Sequence, residues 1–176
     1  MVLRLVGSEM CIRDRSPSDL KNLQNISEKL ADLNWTRNNE FNLEHNNNNS
    51  RPALFAFNGD VYDGIDAKSL TVDKVNTLQN QLRILSGLYG MLKPLDLIQP
   101  YRLEMGTKLT VNGSKNLYDF WADSITKELI DELEKDSIIL NLASNEYFNA
   151  INKKIIDYNI ISPVFKDFKN GKLKVI

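Results

Sequence analysis

Apolar residues recur at three- and four-residue steps in three segments, and this spacing predicts amphipathic helices. The first helix begins at a capping arrangement headed by Ser16. The second covers 72–85 and ends before Gly87, and the third runs from Ser114 to about Lys135. The three apolar faces are Leu20, Leu23, Ile26, Leu30 and Leu33; Val72, Val75, Leu78, Leu82 and Leu85; and Leu117, Phe120, Trp121, Ile125, Leu129 and Leu133.

Short, continuous apolar runs predict buried strands at two other places. Ala53–Phe57 is bounded by turn residues, and Ile138–Ala143 is apolar on both faces, as expected for a strand in the middle of a sheet. Near the C-terminal end, Asn170-Gly171 separates two runs at 164–168 and 172–176, which predicts a β-hairpin. The predicted fold class is therefore α/β, a single mixed domain with a small sheet flanked by helices.

The stretch 79–108 joins a helix end, a two-glycine turn and an extended arm. Pro94 and Pro100 disfavour helix at the residues before them, so the arm is expected to be extended. Gly87 and Gly90 allow two interpretations. They are turn residues in a core, or they form a helix-hairpin-helix-like turn that points backbone N–H groups at a phosphate. Such turns usually carry their glycines two apart, and these are three apart. The nearby cations are Arg83, Lys93, Arg102 and Lys108.

Composition limits how nucleic acid could be bound. The 176 residues are 42% hydrophobic and 26% charged, which is ordinary for a globular protein with a core. The formal net charge is −1, and the sequence pI is about 5.9. A generic nucleic-acid-binding domain is more basic. Any binding to DNA is therefore expected to come from a local patch of cations.

The single cysteine and single histidine exclude several kinds of site. Cys11 cannot form an internal disulfide, and this composition suits a reducing cytoplasm. A metal site built from His and Cys is also excluded, and His45, in a polar asparagine-rich loop, is expected to face solvent. No nucleotide-binding or hydrolase motif is present, so no cofactor and no metal are predicted. No apolar run is long enough to span a membrane.

Carboxylates and amides at the ends of predicted strands form a second candidate site. Ligands of α/β proteins gather outside the carboxyl ends of strands, and functional groups often lie in such loops. Turn formation and helix capping explain several of these residues equally well. An enzyme acting on a nucleobase or nucleotide, with a carboxylate as acid or base and Arg102 in its pocket, is the alternative function. The possible pocket residues are Asp60, Asp63, Tyr101, Glu104, Asn141, Ser144 and Glu146.

Four motifs together resemble the YaaA peroxide stress protein family. They are FAFNGDVYDGI at 55–65, LRILSGLYGMLKPLDLIQPYRLEMGTKL at 82–109, NLYDFW at 116–121 and NLASNEYF at 141–148. The resemblance implies a role in peroxide defence and in the control of free intracellular iron. It also implies an unusual α/β fold that binds double-stranded DNA through a basic cleft and a helix-hairpin-helix-like element. It implies no reaction. The expected DNA-contacting residues are Arg83, Gly87, Gly90, Lys93, Arg102 and Lys108.

The two ends of the chain depart from the family pattern. Residues 1–15 do not continue into the first helix, resemble translated adapter sequence, and are expected to pack loosely as a non-native or disordered extension. Residues 16–176 are expected to form a partial YaaA-like domain. The family opens with an SPAKT-like motif and continues past the last hairpin with a basic segment, so the chain is expected to be truncated at both ends. A fragment without activity is thus a third hypothesis, and oligomeric state is left open.

Overall fold

The computed structural model describes residues 11–169 and 171–175. Short strands alternate with helices along the chain, and the mixed α/β class is confirmed. The α-helices after residue 16 are α1 (Pro17–Gln24), α2 (Glu28–Glu40), α3 (Ala53–Ala56), α4 (Asp60–Ile65), α5 (Val72–Gln81), α6 (Leu117–Asp131) and α7 (Asn145–Phe148). The strands are β1 (Arg51–Pro52), β2 (Ile84–Ser86), β3 (Gly90–Leu92), β4 (Leu97–Ile98), β5 (Ile138–Leu140), β6 (Asn159–Ile161), β7 (Lys166–Lys169) and β8 (Lys172–Val175).

The described strands pair two by two. The pairs β1–β4, β2–β3 and β7–β8 are antiparallel, and β5–β6 is parallel. The core lies around β2–β3, where α6 packs on β3 and the arm after β4 crosses the turn. Along 103–111 the odd-numbered residues are buried and the even-numbered residues are exposed, as in an extended chain. Over 93–99, the part predicted to be extended, the chain turns at 94–95 and is a strand only over Leu97–Ile98. The largest fully buried apolar side chains include Leu88, Leu92, Met105, Leu109, Leu117 and Ile125.

The first predicted helix is two helices. Asn25 adopts a left-handed conformation (φ 51°, ψ 50°) and ends α1, and Ser27 then caps α2 by accepting a hydrogen bond from the Leu30 amide. The start at Ser16 is as predicted, with the reciprocal Ser16–Asp19 capping box. The predicted apolar face does not continue as a buried face into α2: Leu30 and Leu33 are 40% and 43% exposed, and the buried residues of α2 are Ala31, Asn34 and Asn38.

Ala53–Phe57 was predicted as a buried strand, and this is wrong. The segment is a single helical turn, α3, whose first two residues are buried. The amide of Ala53 donates to the carbonyl of Asp96, and the amide of Leu54 donates to the carbonyl of Pro94. These contacts satisfy the free amides at the start of the turn, so a short apolar run becomes helical through a loop forty residues away.

The helix predicted over 72–85 ends at Gln81. Leu82 is already extended (ψ 138°), and the chain continues into β2. Gly87–Gly90 joins β2 to β3, with Ile84 opposite Leu92 and Ser86 opposite Gly90. The turn predicted to be helix-hairpin-helix-like is therefore a β-hairpin, because strands and not helices flank it. The third predicted helix is confirmed over Leu117–Asp131, with Asn116 rather than Ser114 as its cap.

Ile138–Ala143 is a strand only over Ile138–Leu140, and it is not buried. It pairs in parallel with β6, and its outward residues Ile138 and Leu140 are 58% and 56% exposed. Among the described residues no third strand joins this pair. The prediction of a strand is confirmed, and the prediction of its burial in the middle of a sheet is wrong.

The C-terminal β-hairpin is confirmed. Lys166 pairs with Val175 and Lys169 with Lys172, while Asn170 and Ile176 lie outside the described residues. At the other end, residues 1–10 are outside the described range, but Ile12 is 2% exposed and belongs to the core. Loose packing of 1–15 is therefore wrong at Ile12, and the origin of that segment stays a prediction.

Candidate functional site

The glycines of the β2–β3 turn are buried by close contacts. Trp121 lies across the turn and donates from Nε1 to the carbonyl oxygen of Gly87 at 2.9 Å. A Cβ on Gly90 would meet the Trp121 ring at 2.8 Å, and a Cβ on Gly87 would collide with the carbonyl of Leu103. Gly90 also has φ +81°. Both glycines are therefore needed for packing, and neither offers its backbone amide at the surface for a phosphate.

The amide of Tyr89 in the same turn is also occupied. It is not free to bind an external ligand, because it donates to Ser86 Oγ at 2.8 Å. The Ser86 hydroxyl is 2.6 Å from the Tyr101 hydroxyl, so the turn and the arm share a buried hydrogen-bonded pair. Burial raises the pKa of Tyr101 well above its ordinary value, although the Ser86 hydrogen bond opposes the shift. Tyr101 is thus a neutral, buried phenol that holds the arm in place.

Arg83 and Lys93 meet at Glu132, just after the end of α6. Arg83 precedes β2 and Lys93 follows β3, so the carboxylate joins the two open ends of the hairpin. Lys93 Nζ is 3.0 Å from Glu132 Oε1, and Arg83 Nε donates to Oε2. Burial favours the neutral carboxyl, but the hydrogen bonds from Lys93 and Arg83 hold the pKa of Glu132 below its ordinary value. Two cations thus share one carboxylate.

The two cations of this cluster differ in their other partners. Arg83 Nη1 also donates to the carbonyl oxygens of Gln79, Asn80 and Leu82, the free acceptors at the end of α5. Its side chain is 17% exposed, compared with 39% for Lys93. Arg83 therefore serves mainly as a helix cap, and Lys93 is the cation of the pair that solvent reaches.

Arg102 and Glu104 form a second ion pair on the arm. Arg102 Nη2 is 2.6 Å from Glu104 Oε1, and both side chains are well exposed. Gln24 donates to the carbonyl oxygen of Arg102 at 2.8 Å and ties α1 to the arm. Gln24 Oε1 and Arg102 Nε are buried atoms without a hydrogen-bond partner in the described part of the chain. Lys108 lies further along the arm, exposed and without an ion pair within residues 11–169 and 171–175.

Glu146, at the start of α7, contacts the same arm. Its Oε1 accepts from the amide of Gly106 at 2.8 Å, and its backbone oxygen accepts from the Tyr118 hydroxyl. Burial, followed by the charges of Glu146 and Glu104, raises the pKa of the neighbouring Tyr147 phenol. The structure thus brings three of the predicted site residues to one part of the surface: Arg102, Glu104 and Glu146.

The other predicted pocket residues have local partners. Asn141 donates to Ser162 Oγ at 3.1 Å and accepts from the amide of Ala143, while Ser144 caps α7. Asp60 and Asp63 lie in the first turn of α4, where their charges favour the helix N-terminus. Between them Tyr62 stacks on Phe57 with ring centroids 5.2 Å apart. Burial raises the pKa of Tyr62 to about 12.

Sequence reasoning missed Glu132, Tyr147 and His45. Glu132 follows the apolar positions of α6 as one of several outer carboxylates, and only its distance to Arg83 and Lys93 distinguishes it. His45, expected to face solvent, is partly buried: its Nε2 is 3.1 Å from the Tyr89 hydroxyl, and its ring packs edge-on against Phe41. No pattern in the sequence indicates either contact.

Within 11–169 and 171–175, no three His, Cys, Asp or Glu side chains lie close enough together to hold a metal ion. Over the same residues, no helix combines the length and the apolar character needed to cross a bilayer.

The fold and the site define a mixed α/β protein with a buried β-hairpin whose ends and crossing arm carry paired cations and carboxylates. The model of the family described as peroxide stress protein YaaA matches residues 9–176. The chain belongs to this family, which confirms the resemblance of the four motifs.

Curated relatives agree with the family match. A UPF0246 protein of Flavobacterium johnsoniae is 54% identical over 165 residues, covering 94% of this chain and 66% of the relative. A UPF0246 protein of Idiomarina loihiensis is 57% identical over 170 residues, covering 96% of this chain and 66% of the relative. A UPF0246 protein of Flavobacterium psychrophilum is 52% identical over 161 residues, covering 92% of this chain and 64% of the relative. The chain thus spans just under two thirds of the length of these relatives.

Proposed function

We propose that this protein acts in the response to hydrogen peroxide by binding double-stranded DNA without sequence preference. Family membership supports the peroxide role. The observation that supports DNA binding is the cluster at Glu132, where two cations share one carboxylate and leave an excess positive charge beside the β2–β3 hairpin. Contacts to phosphate carry no sequence information, so such a surface binds every duplex similarly.

Three cations are the proposed phosphate contacts. Lys93 is the exposed member of the Glu132 cluster, Arg102 is 40% exposed, and Lys108 is exposed without an ion pair among the described residues. Arg83 is assigned a supporting role because α5 carbonyls and Glu132 already occupy its guanidinium. Gly87 and Gly90 are omitted because they are buried.

Binding of this kind also suggests a link to free iron. Duplex DNA carries a condensed layer of counterions, and each lysine or arginine that neutralises a phosphate releases some of them. Ferrous ions in that layer would be released with the others. The protein would thereby lower the amount of iron held next to DNA, where reaction with peroxide damages the strands.

The first experiment measures affinity for a short duplex at several salt concentrations. Lys93→Gln with Arg102→Gln should weaken binding on every sequence tested, and should flatten the log–log salt slope by roughly two, one unit for each lost phosphate contact. The matched control is Lys29→Gln with Lys74→Gln, which removes the same charge from exposed helix positions. An unchanged slope in the first variant, or an equal loss in the control, would contradict this surface.

Strand breakage provides the second measurement. Plasmid DNA exposed to ferrous iron and hydrogen peroxide should be nicked more slowly with the protein present, and the Lys93→Gln, Arg102→Gln variant should give less protection. Protection that persists in the variant would separate the peroxide role from DNA binding through these cations.

The alternative function is an enzyme acting on a nucleobase or nucleotide. One observation favours it: the negative charges of Glu146 and Glu104 both raise the pKa of the nearby Tyr147 phenol. Glu104 is paired with Arg102 on the arm, and Glu146 accepts a hydrogen bond from the same arm. Incubation with common nucleosides and nucleotides, followed by chromatography, tests it. Turnover that Glu146→Gln abolishes would favour the enzyme, and turnover unaffected by Glu146→Gln and Glu104→Gln would assign no role to these carboxylates.

A further inference from the structure

An open cavity lies between the start of α6 and the loop that follows α7. Its volume is about 640 Å³, within the range of about 300–1,000 Å³ that small-ligand sites occupy. One wall is the start of α6 with the residues before it, 115–123, and the other is the loop 149–154 that follows α7. At the first wall α6 is interrupted: Ala122 has φ 33° and ψ −123°, far from helical values. This interruption shapes the wall of the cavity.

Asn152 fixes the two walls to each other. Its side-chain Nδ2 donates to Asp123 Oδ1 at 2.7 Å, and its backbone amide donates to the buried Thr126 hydroxyl at 2.8 Å. Its Oδ1 accepts from the amide of Lys154 at 3.1 Å. The short 3-10 helix Lys153–Ile155 therefore begins at a fixed place on α6.

Three lysines line this cavity. Lys115 belongs to the α6 wall, and Lys153 and Lys154 to the opposite loop. In the part of the chain that the structure describes, no carboxylate lies within 4.0 Å of their ammonium groups. Lys153 Nζ lies 4.8 Å from the centre of the Phe148 ring, a cation–π contact that leaves its donors available.

The two carboxylates of the lining have other partners. Asp119 Oδ2 accepts from the amide of Lys115 at 3.0 Å, and Asp123 holds Asn152. The lining thus contains three lysines and two aspartates, and each aspartate already accepts a hydrogen bond from a neutral donor. A ligand that supplies several acceptor oxygens and a negative charge would satisfy the ammonium groups, and phosphate has this chemistry.

We propose that the cavity between 115–123 and 149–154 binds a phosphate group through Lys115, Lys153 and Lys154. The phosphate belongs to a free nucleotide or to a nucleic-acid backbone, and the experiment separates these two sources. The cavity shares no residue with the proposed DNA surface at Lys93, Arg102 and Lys108. Its test is therefore independent of the DNA-binding proposal.

Calorimetric titration of the full chain with inorganic phosphate, adenosine monophosphate, adenosine, acetate and a short duplex tests the proposal. Binding of the monophosphate supports it when adenosine and acetate do not bind. Binding of the duplex supports it only when that binding persists in Lys93→Gln with Arg102→Gln. The monophosphate alone indicates a nucleotide site, and the duplex alone indicates a backbone contact. Equal binding of adenosine, or no binding of any phosphate compound, overturns it.

Variants then assign the binding to this cavity. Lys153→Gln with Lys154→Gln should lower the affinity for the phosphate ligand about tenfold or more, since two charge-assisted contacts are lost. Lys115→Gln, on the opposite wall, should weaken it independently. The matched control, Lys127→Gln with Lys135→Gln, removes the same charge from exposed positions outside the cavity. An equal loss in the control, or none in either cavity variant, overturns the assignment. Lys93→Gln with Arg102→Gln should leave monophosphate binding unchanged.

Discussion

Two pairs of short strands, β2–β3 and β5–β6, have similar apolar sequences and opposite surroundings. Ile84 and Leu92 of the first pair are 6% and 1% exposed, whereas Ile138 and Leu140 of the second are 58% and 56% exposed. The first pair lies under Trp121 and the arm. The second is a parallel pair, a type of sheet that is normally covered on both faces.

This difference shows that the apolar composition of a strand predicts that it will be buried, but not which other segment of the chain will bury it. The β2–β3 hairpin is covered by Leu103 and Trp121, which lie 16 and 34 positions after Gly87 in the sequence. Glu132 joins the two ends of the hairpin. No described segment covers the outer residues of β5 in this way.

The largest difference is expected when one charge is introduced into each pair. Leu92→Asp should destabilise the protein by more than about 4 kcal/mol, because an unpaired carboxylate would be buried. Leu140→Asp, the matched change in β5, should alter the free energy of unfolding by about 1 kcal/mol or less. Denaturant unfolding measures both. Similar large losses would show that β5 is covered in solution, and the comparison would fail.

A smaller difference is expected between two glycines with similar backbone angles. Gly90 (φ +81°) lies against Trp121, whereas a Cβ added at Gly113 (φ +84°) would meet open space. Alanine at Gly113 should be destabilising by about 1–2 kcal/mol, from the left-handed backbone alone. Gly90→Ala should destabilise the protein by about a further 1–3 kcal/mol, because the added Cβ clashes with the Trp121 ring. Equal effects in thermal unfolding would mean that Trp121 moves aside freely.

The smallest effect is expected for Glu132→Gln, and it depends on pH. The pKa of Glu132 is lowered in the folded protein, so its ionised form stabilises the fold above the unfolded pKa of about 4.3. That contribution, about 1 kcal/mol or less, is lost as pH falls through the lower folded pKa. The variant should therefore be less stable than the parent at pH 7, and the gap should close at acidic pH. A gap independent of pH would indicate packing rather than charge.

Much of the local structure follows from the sequence. The helix at 117–131, most of the helix at 72–81, the capping box at Ser16 and the C-terminal hairpin were all predicted, because spacing, caps and turn residues act over a few positions. Family membership was predicted from four motifs. Of the candidate site, Arg102 and Glu104 are two residues apart in the sequence and form an ion pair on the arm.

Other features depend on contacts between distant residues. Ala53–Ala56 is helical because the loop at 94–96 accepts its amides, and Leu82 leaves the helix as the chain enters β2. The sequence alone is compatible with Gly87 as a surface turn residue, but in the structure the arm lies across it at Leu103. In the sequence Arg83 and Lys93 are two similar cations. In the structure Arg83 donates to a carbonyl oxygen at the end of α5, whereas Lys93 remains more exposed to solvent.

The sequence by itself determined the helical segments, the turns, the mixed class and the family, since each of these depends on neighbouring residues or on a dense motif. Only the tertiary structure decided which strands are covered, which cations solvent reaches, and that Lys115 shares a cavity with Lys153 and Lys154. The reason is physical. Burial and the pairing of charges depend on which remote segment arrives at a surface, and local propensity does not specify that segment.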